Sequence, residues 1–298
     1  MSLSVSVITP SFNQGRFIER TIQSVLSQDV PGLEYFVFDG GSNDETVDIL
    51  RRYESRLNWV SEKDRGQADA VNKGLLASRG EVIGWLNSDD IFYPGAIRAA
   101  CEFLEAYPEN DFIYGDAYHI RENDEIIESY PTEPWDLDRL FETCFLCQPA
   151  VFFRRRALQR YGTLDVRLRY CLDYEYWIRA AMKGAKFAWL RQVLAGSRLY
   201  PGTKTLGSRV EVHREINDMM REKLGRVPDR WLFNYAHAVV DAKGVPRDDR
   251  VRFPLWVSTA SIRAAFRWNH SISGHMMRTT GQWMSSVRLV SETHENRI

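Results

Sequence analysis

A chain of 298 residues suits one large or two small domains, and its 44% hydrophobic and 27% charged residues let it bury a sizeable core and stay in solution. Its formal net charge of −1 excludes a molecule that binds nucleic acid by overall electrostatics. The four cysteines, Cys101, Cys144, Cys147 and Cys171, show no paired metal-ligand spacing. Cys144 and Cys147 form one C-x-x-C around Phe145 and Leu146, which reads as buried apolar cysteine in a reducing cytoplasm rather than zinc or redox chemistry. The segment Met1 to Val5 lacks the basic and long apolar regions of a signal peptide, and no apolar run approaches a membrane span.

Val5 to Thr9 reads as a strand. Asn13 is placed to cap a helix whose inward face is Phe17, Ile18, Ile22, Val25 and Leu26, close to a 3.6-residue period. Tyr35 to Asp39 is a second strand. Ser42-Asn43-Asp44-Glu45 has the form of a capping box, opening a helix with Val47, Leu50 and Tyr53 inside. Asn58 to Val60 is a short third strand. Gln67 to Ser78 reads as a helix with Ala68, Val71 and Leu75 on one face, stopped by Gly80. Val82 to Leu86 is an apolar run that reads as a buried fourth strand. This alternation implies parallel strands with helices on both faces. Beyond it the pattern loosens. Pro94 starts a helix through Ile97, Ala100 and Leu104, and Phe112 to Arg121 and Ile126 to Tyr130 flank Glu122-Asn123-Asp124 as a hairpin. Short elements follow to about residue 200, among them a helix over Leu172 to Lys183 closed by Gly184. There is no internal repeat and no low-complexity tract.

From Arg250 to Ser291 the chain has no Asp or Glu. It carries Arg250, Arg252, Arg263, Arg267, Arg278 and Arg288, with Trp256, Trp268 and Trp283 between them. Two readings compete. Such a segment can lie on an anionic membrane surface with its rings at the headgroup level. Alternatively it is a helical extension packed on a core with its arginines in water, a reading that Pro254, Gly274 and Gly281 favour because they interrupt any single amphipathic face.

Three polar clusters fall at the ends of three expected parallel strands: Thr9-Pro10-Ser11-Phe12-Asn13, Asp39-Gly40-Gly41-Ser42 and Asn87-Ser88-Asp89-Asp90. Each alone could be turn chemistry. Together they would form one crevice beyond the carboxyl edge of a sheet, where ligands bind in open α/β folds. Adjacent carboxylates such as Asp89 and Asp90 repel unless a cation or positive ligand sits between them, and a divalent metal bridging to a diphosphate is the natural filling. The plain alternative is an Asp-rich turn before Pro94. No G-x-G-x-x-G follows the first strand and no P-loop is present, which argues against a dinucleotide-dependent dehydrogenase and a P-loop NTPase.

At these residues the chain resembles the family 2 glycosyltransferases of the GT-A fold. The resemblance rests on six stretches of the sequence: residues 4–13 (SVSVITPSFN), 39–46 (DGGSNDET), 62–74 (EKDRGQADAVNKG), 85–90 (WLNSDD), 147–153 (CQPAVFF) and 172–179 (LDYEYWIR). It covers about residues 4–205. It implies an α/β, Rossmann-like, mostly parallel sheet flanked by helices, with a C-terminal helical extension. The domains would be 1–205, divided into a nucleotide-binding half 1–90 and an acceptor half 91–205, and 206–298.

The resemblance further implies inverting transfer of a sugar from a nucleotide diphosphate sugar to a hydroxyl, assisted by Mg²⁺ or Mn²⁺. Thr9, Pro10, Phe12 and Asn13 would cradle base and ribose, Asp39 would accept from the base, and Asp64 and Arg65 would close over the nucleotide, although Arg65 reads equally well as a solvated loop cation. Asn72 and Lys73 read as helix surface. The family's D-x-D maps onto Asn87-Ser88-Asp89, so Asn stands at its first Asp. Ser88 and Asp89 would meet the donor, with Asp89 as metal ligand and Asp90 as its neighbour. Tyr200 stands where many members present a histidine. Asp173 matches the catalytic Asp that takes the acceptor's proton, with Leu172 where an acidic residue usually stands. A capping role at the helix start is the alternative for Asp173. Gln148 and Glu175 are candidates for the sugars, and Gln148 could instead satisfy backbone in an irregular loop. No Q-x-x-R-W follows Asp173, so one sugar per encounter is expected. Surface polysaccharide or glycolipid assembly in bacteria is the implied setting, with a saccharide or lipid-linked saccharide acceptor, no nucleic acid, and peripheral membrane contact through 250–291. The competing functions are a nucleotidyltransferase on a related fold and a binding protein that has lost catalysis.

Overall fold

A computed structural model describes residues 3–295 of the chain, so Met1 and Ser2 lie outside the described residues, as do the side chains of 205 and 286–295, that of Arg288 among them. The chain divides into two units, Met1–Leu140 with Cys144–Thr203, and Phe141–Thr143 with Lys204–Ile298.

The first unit begins with β1 (Val5–Ser11), α1 (Ile18–Leu26), β2 (Glu34–Asp39), α2 (Thr46–Arg52), β3 (Asn58–Ser61), α3 (Gln67–Ala77) and β4 (Val82–Trp85). It continues with β5 (Ile91–Phe92), α4 (Ala96–Ala106), β6 (Phe112–Ile120), β7 (Ile126–Ser129), α5 (Leu137–Glu142, its last two residues counted with the second unit), β8 (Val151–Arg154), α6 (Arg156–Tyr161), α7 (Leu172–Met182) and β9 (Phe187–Arg198). The sheet runs β3-β2-β1-β4-β8-β6-β9-β5, with β7 on β6. The first four strands are parallel, β8 enters antiparallel between β4 and β6, and β6 and β9 are again parallel, so most paired residues lie in parallel ladders.

Alternation explains how β1 is covered. Val5 and Val7 join Ile18, Ile22 and Val25 of α1 and Tyr35 and Val37 of β2 in one core. On the other face Ile8 receives α3, which approaches so closely that a Cβ on Gly74 would lie 2.4 Å from Ile8. Glycine there lets the helix touch the strand. The apolar face of α3, Ala68, Val71 and Leu75, is buried as its period implies.

Two expected caps are not formed. Asn13 has φ +52°, and its Oδ1 accepts from the Asn43 N–H at 3.0 Å rather than from a helix start. The Ser42 hydroxyl donates to Asp39, and α2 opens with Glu45 at its cap position and no side-chain cap bond. Both polar residues are drawn off by neighbouring loops, which local spacing does not reveal. Within α2, Ile49 and Leu50 are buried, while Val47 and Tyr53 are only half-buried. The helix after Pro94 starts at Ala96, behind Gly95 at φ +82°. The four cysteines are free, and Cys144 is half-buried where the other three are buried.

The second unit is helical: α8 (Lys204–Gly207), α9 (Arg209–Leu224), α10 (Asp229–Ala242), α11 (Arg252–Asn269) and α12 (Gly274–Glu295). Ala236, Val240, Val245 and Val257 form its core, with Phe253, Ala260 and Trp283 against it. Trp268 is buried and its indole donates to Asp218 at 2.6 Å, while Arg250, Arg252, Arg263, Arg267 and Arg278 are exposed. Asp241 accepts from Arg209 at 2.8 Å and Arg247 at 2.6 Å.

His213 of α9 lies against Trp231, ring centroids 6.0 Å apart, and its Nδ1 has no partner among the described residues. Burial first, then the Arg209 charge, pushes its pKa down from 6.5 to about 4. Between those values the unfolded chain binds a proton that the folded imidazole does not. The contribution of neutral His213 is therefore full above about pH 6.5 and is lost as the pH falls toward 4. The expected loss is about 3 kcal/mol, read as a lower urea midpoint near the acid end of that window. His213→Gln should flatten this part of the profile, and an unchanged slope in the variant would remove His213 as its cause.

Candidate active site

The carboxyl ends of β1, β2 and β4 carry the three polar clusters. Register sets Ser11 beside Asp39, and the Gly40 N–H donates to the Ser11 carbonyl at 2.8 Å. Asp39 is buried, and its carboxylate organises the turn after β2. Oδ2 accepts from the Gly41 N–H at 3.1 Å, the Ser42 N–H at 2.8 Å and the Ser61 hydroxyl at 2.6 Å, while Oδ1 accepts from the Ser42 hydroxyl at 2.5 Å. Gly41 supplies the turn's φ of +82°. A carboxylate offers about four acceptor positions, so Oδ1 keeps a lone pair for a further donor.

Neighbouring loops are laced to this turn. The Asn13 N–H donates to the Ser42 hydroxyl at 2.6 Å, Gln14 N–H to Thr46 Oγ1 at 2.9 Å, and Gly15 N–H to Asp44 at 2.9 Å. Phe12 stands out 61% exposed, which is costly for an aromatic ring without a partner. Thr9 and Pro10 are buried, and the Thr9 hydroxyl is 3.2 Å from the Tyr35 hydroxyl, so the Thr9 side chain faces the core. The Ser11 hydroxyl is buried with no partner among the described residues. Asp64 packs over Gly40 and accepts from the Gly66 N–H at 2.8 Å. The Arg65 guanidinium binds Asp69 at 2.8 Å across one helical turn, so it is an ion-paired rather than a free cation. Asn72 is not free helix surface: its amide exchanges two 2.9 Å bonds with the backbone of Leu164.

The end of β4 is the most tightly specified part. Asn87 Oδ1 accepts from the Trp85 indole at 3.0 Å and from Gln67 at 2.8 Å, and its Nδ2 donates to Gln148 Oε1 at 2.8 Å and to Asp90 at 3.4 Å. Gln148 Nε2 donates to the Trp85 carbonyl at 2.6 Å. The indole can only donate and the carbonyl can only accept, so both amides have one allowed orientation. Asn87 is thus a structural junction with both ends of its amide engaged.

Strand β5 explains what meets the two carboxylates. Ile91 pairs antiparallel with Gly196, so Asp89 and Asp90 run past the end of β9. The Asp90 carboxyl is buried and accepts from the Arg198 N–H at 2.8 Å. Burial first, and the Asp89 charge second, hold its pKa well above the usual carboxylate range. Arg198 Nε donates to the Asp89 carbonyl at 2.7 Å, and the single Thr21 hydroxyl proton is shared between the carbonyls of Ser88 and Asp90, 2.9 and 2.7 Å away. Asp89 Oδ2 accepts from the Tyr200 hydroxyl at 3.1 Å. Burial, then the Asp89 charge, pushes the Tyr200 pKa up to about 12, so the phenol keeps its proton and donates. Among the described residues no group of three His, Cys, Asp or Glu side chains is arranged to hold a metal ion.

Asp173 sits in the first turn of α7, and from Cys171 to Ile178 it alone is partly open to solvent. Its position relative to the β4 end is read through Cys147. That thiol is buried, and beyond burial the neighbouring acidic groups Asp90, Cys144 and Asp173 push its pKa up. Cys147, next to Gln148, thus lies within electrostatic range of both Asp90 and Asp173. Glu175, by contrast, is buried with both oxygens on Arg179, at 2.9 and 3.0 Å, and Arg179 also binds the carbonyls of Tyr161 and Thr163. The structure sets Phe12, Asn13, Asp39 and Asp89 at or beyond the carboxyl ends of β1, β2 and β4, packs Asp64 over Gly40, leaves Asp173 partly open at the start of α7, and turns Thr9, Asp90 and Glu175 inward. Ser61, Gln67 and Arg198 escape sequence reasoning because each serves the site through a partner distant in the chain. A Tyr at the expected histidine position was the only signal for Tyr200.

The α/β unit has the GT-A fold, as its likeness to solved structures and to a family model shows. Staphylococcus aureus TarS, solved with UDP-GlcNAc, matches with a TM-score of 0.62 over 99% of this chain and 92% of that one, at 16% identity. The mannosyltransferase PcManGT of Pyrobaculum calidifontis, solved with GDP-Man and Mn²⁺, matches with a TM-score of 0.60 over 97% and 85%, at 18% identity. Residues 6–162 match the model of glycosyl transferase family 2, and the chain belongs to that family. An uncharacterized glycosyltransferase of Rickettsia prowazekii is 26% identical over 235 residues, 74% of this chain and 72% of the relative. A PGL/p-HBAD biosynthesis glycosyltransferase of Mycobacterium tuberculosis is 28% identical over 183 residues, 58% of this chain and 68% of the relative.

Proposed function

We propose that this glycosyltransferase moves one sugar per encounter from a nucleotide diphosphate sugar to a hydroxyl, with inversion, in the assembly of a bacterial surface polysaccharide or glycolipid. The observation that supports this reading is the set of polar clusters with Asp39 and Asp89 at or beyond the ends of neighbouring parallel strands, with Asp173 the residue of the α7 start that is partly open to solvent. The nucleotide sugars in the two solved neighbours and the biosynthetic role in the name of the mycobacterial relative support it. We assign residues 1–205 to transfer, with donor groups in 1–90 and acceptor groups in 91–205, and 206–298 to an extension.

In this reading Phe12 stacks on the base and the free lone pair of Asp39 Oδ1 accepts its N–H. Asn13, Asp64, Arg65 and Ser88 border the ribose and phosphates. The Asp173 carboxylate takes the acceptor's proton as the alcohol oxygen bonds to the anomeric carbon and the diphosphate leaves from the opposite face. A carboxylate suffices because that proton becomes acidic only as the bond forms. Gln148 and the Glu175–Arg179 pair position the segments around the sugar.

The donor set fits a divalent cation only in part: Asp89 is one carboxylate, Asn87 is engaged and Asp90 is buried. One carboxylate with substrate phosphates is a known way to hold Mg²⁺. Mg²⁺ or Mn²⁺ held by Asp89 and the donor's phosphates would supply Lewis-acid stabilisation of the leaving diphosphate. We therefore expect Mn²⁺ alone to leave the melting temperature unchanged. Nucleoside diphosphate with Mn²⁺ should raise it more than the nucleotide with EDTA, by mass action worth about 2.7 kcal/mol at a hundredfold excess over Kd. A shift with Mn²⁺ alone would contradict the shared site. No shift with UDP or GDP, with or without Mn²⁺, would remove the donor reading.

A further inference from the structure

A groove of about 470 Å³ runs between α10 and α11, bordered by Tyr235, Val239, Leu255, Trp256 and Ala260. Lys243, Arg263 and Arg267 line the same groove, and none of the three has a carboxylate partner among the described residues. Lys243 lies over the Trp256 ring, 4.8 Å from its centroid, and Arg267 lies 4.6 Å from the Trp268 centroid. The helix α11 is apolar on both sides. Val257, Ala264, Ala265 and Trp268 point to the core, while Leu255, Trp256 (40% exposed) and Phe266 (54% exposed) stand outward beside Arg263 and Arg267. A helix that shows aromatic and cationic side chains to the outside suits a medium with an apolar interior and an anionic boundary.

We propose that this groove is a seat on a bilayer, taking an anionic phospholipid with its phosphate on Lys243, Arg263 and Arg267 and its chain along Leu255, Trp256 and Val239. The absence of any Asp or Glu from 250 to 291 makes the face complementary to anionic lipid. The same charge disfavours a second copy, because a two-fold contact would bring these cations against themselves. The inference stands independently of the transfer reading, since it uses only the helical unit.

Flotation of the full chain with vesicles of phosphatidylcholine alone, or mixed with phosphatidylglycerol, tests it. Binding is expected to the mixed vesicles only and to weaken with added salt. The double variant R263E/R267E should weaken it by at least about 30-fold, from the charge lost at the surface. Trp256→Ser should weaken it further, with circular dichroism showing both variants folded. Equal binding to both vesicle types, no binding to either, or binding untouched by the variants would each overturn the proposal. So would a thermal shift with inorganic phosphate that vesicles fail to compete, or light scattering showing a dimer that R263E/R267E dissociates.

Discussion

Replacing Asp173 by Asn is expected to lower kcat for sugar transfer by about 10²–10⁴-fold while nucleotide affinity changes little. The side chain keeps its size and its place in the first turn of α7, but it can no longer accept the alcohol's proton. The alternative role, complementing the helix dipole, makes a different prediction: a stability loss of about 0.3–1 kcal/mol with turnover kept. Product formation and thermal melting of the one variant separate the two. Turnover within a few-fold of the parent would mean that the base is another group. Leu172 is buried, which leaves Asp173 as the residue of this turn that reaches solvent.

Asn87→Asp is expected to harm the protein although it restores the family's D-x-D spelling. The new oxygen would face Gln148 Oε1 and Asp90 in place of the amide that now donates to them at 2.8 and 3.4 Å. Gln148 cannot turn its own amide to compensate without breaking its 2.6 Å bond to the Trp85 carbonyl. The cost is a lost hydrogen bond, an unsatisfied acceptor and a third carboxylate beside Asp89 and Asp90, about 2–4 kcal/mol together. Urea denaturation should show that loss, and Mn²⁺ titration in the presence of UDP should show no tighter binding than the parent. A stable variant with clearly tighter Mn²⁺ would mean that position 87 faces the metal and that the amide junction is dispensable.

The two variants probe what was and was not legible before the fold was known. The parallel order of β1 to β4, the helices between them and the hairpin of β6 and β7 follow from apolar periods of two and 3.6, which act within a few residues. The twelve-residue β9 was not legible as a single strand. Its pairing with β6 shifts register beside Gly115 and Asp116, which breaks the alternation that marks a strand. The caps at Asn13 and Ser42 failed for a related reason. Their side chains had better partners across a loop than along the chain.

For the site, residue type and order alone determined the motifs, the three polar strand ends and the membership that residues 6–162 carry. Tertiary structure decided their orientation. It turned the Thr9 hydroxyl to Tyr35, sealed Asp90 behind Arg198, tied Glu175 to Arg179 and set Tyr200 on Asp89. Which polar atom stays free for a ligand depends on partners up to a hundred residues away, because buried donors and acceptors must be satisfied wherever the fold places them. Local sequence can nominate a carboxylate, but burial and pairing select which one remains to act.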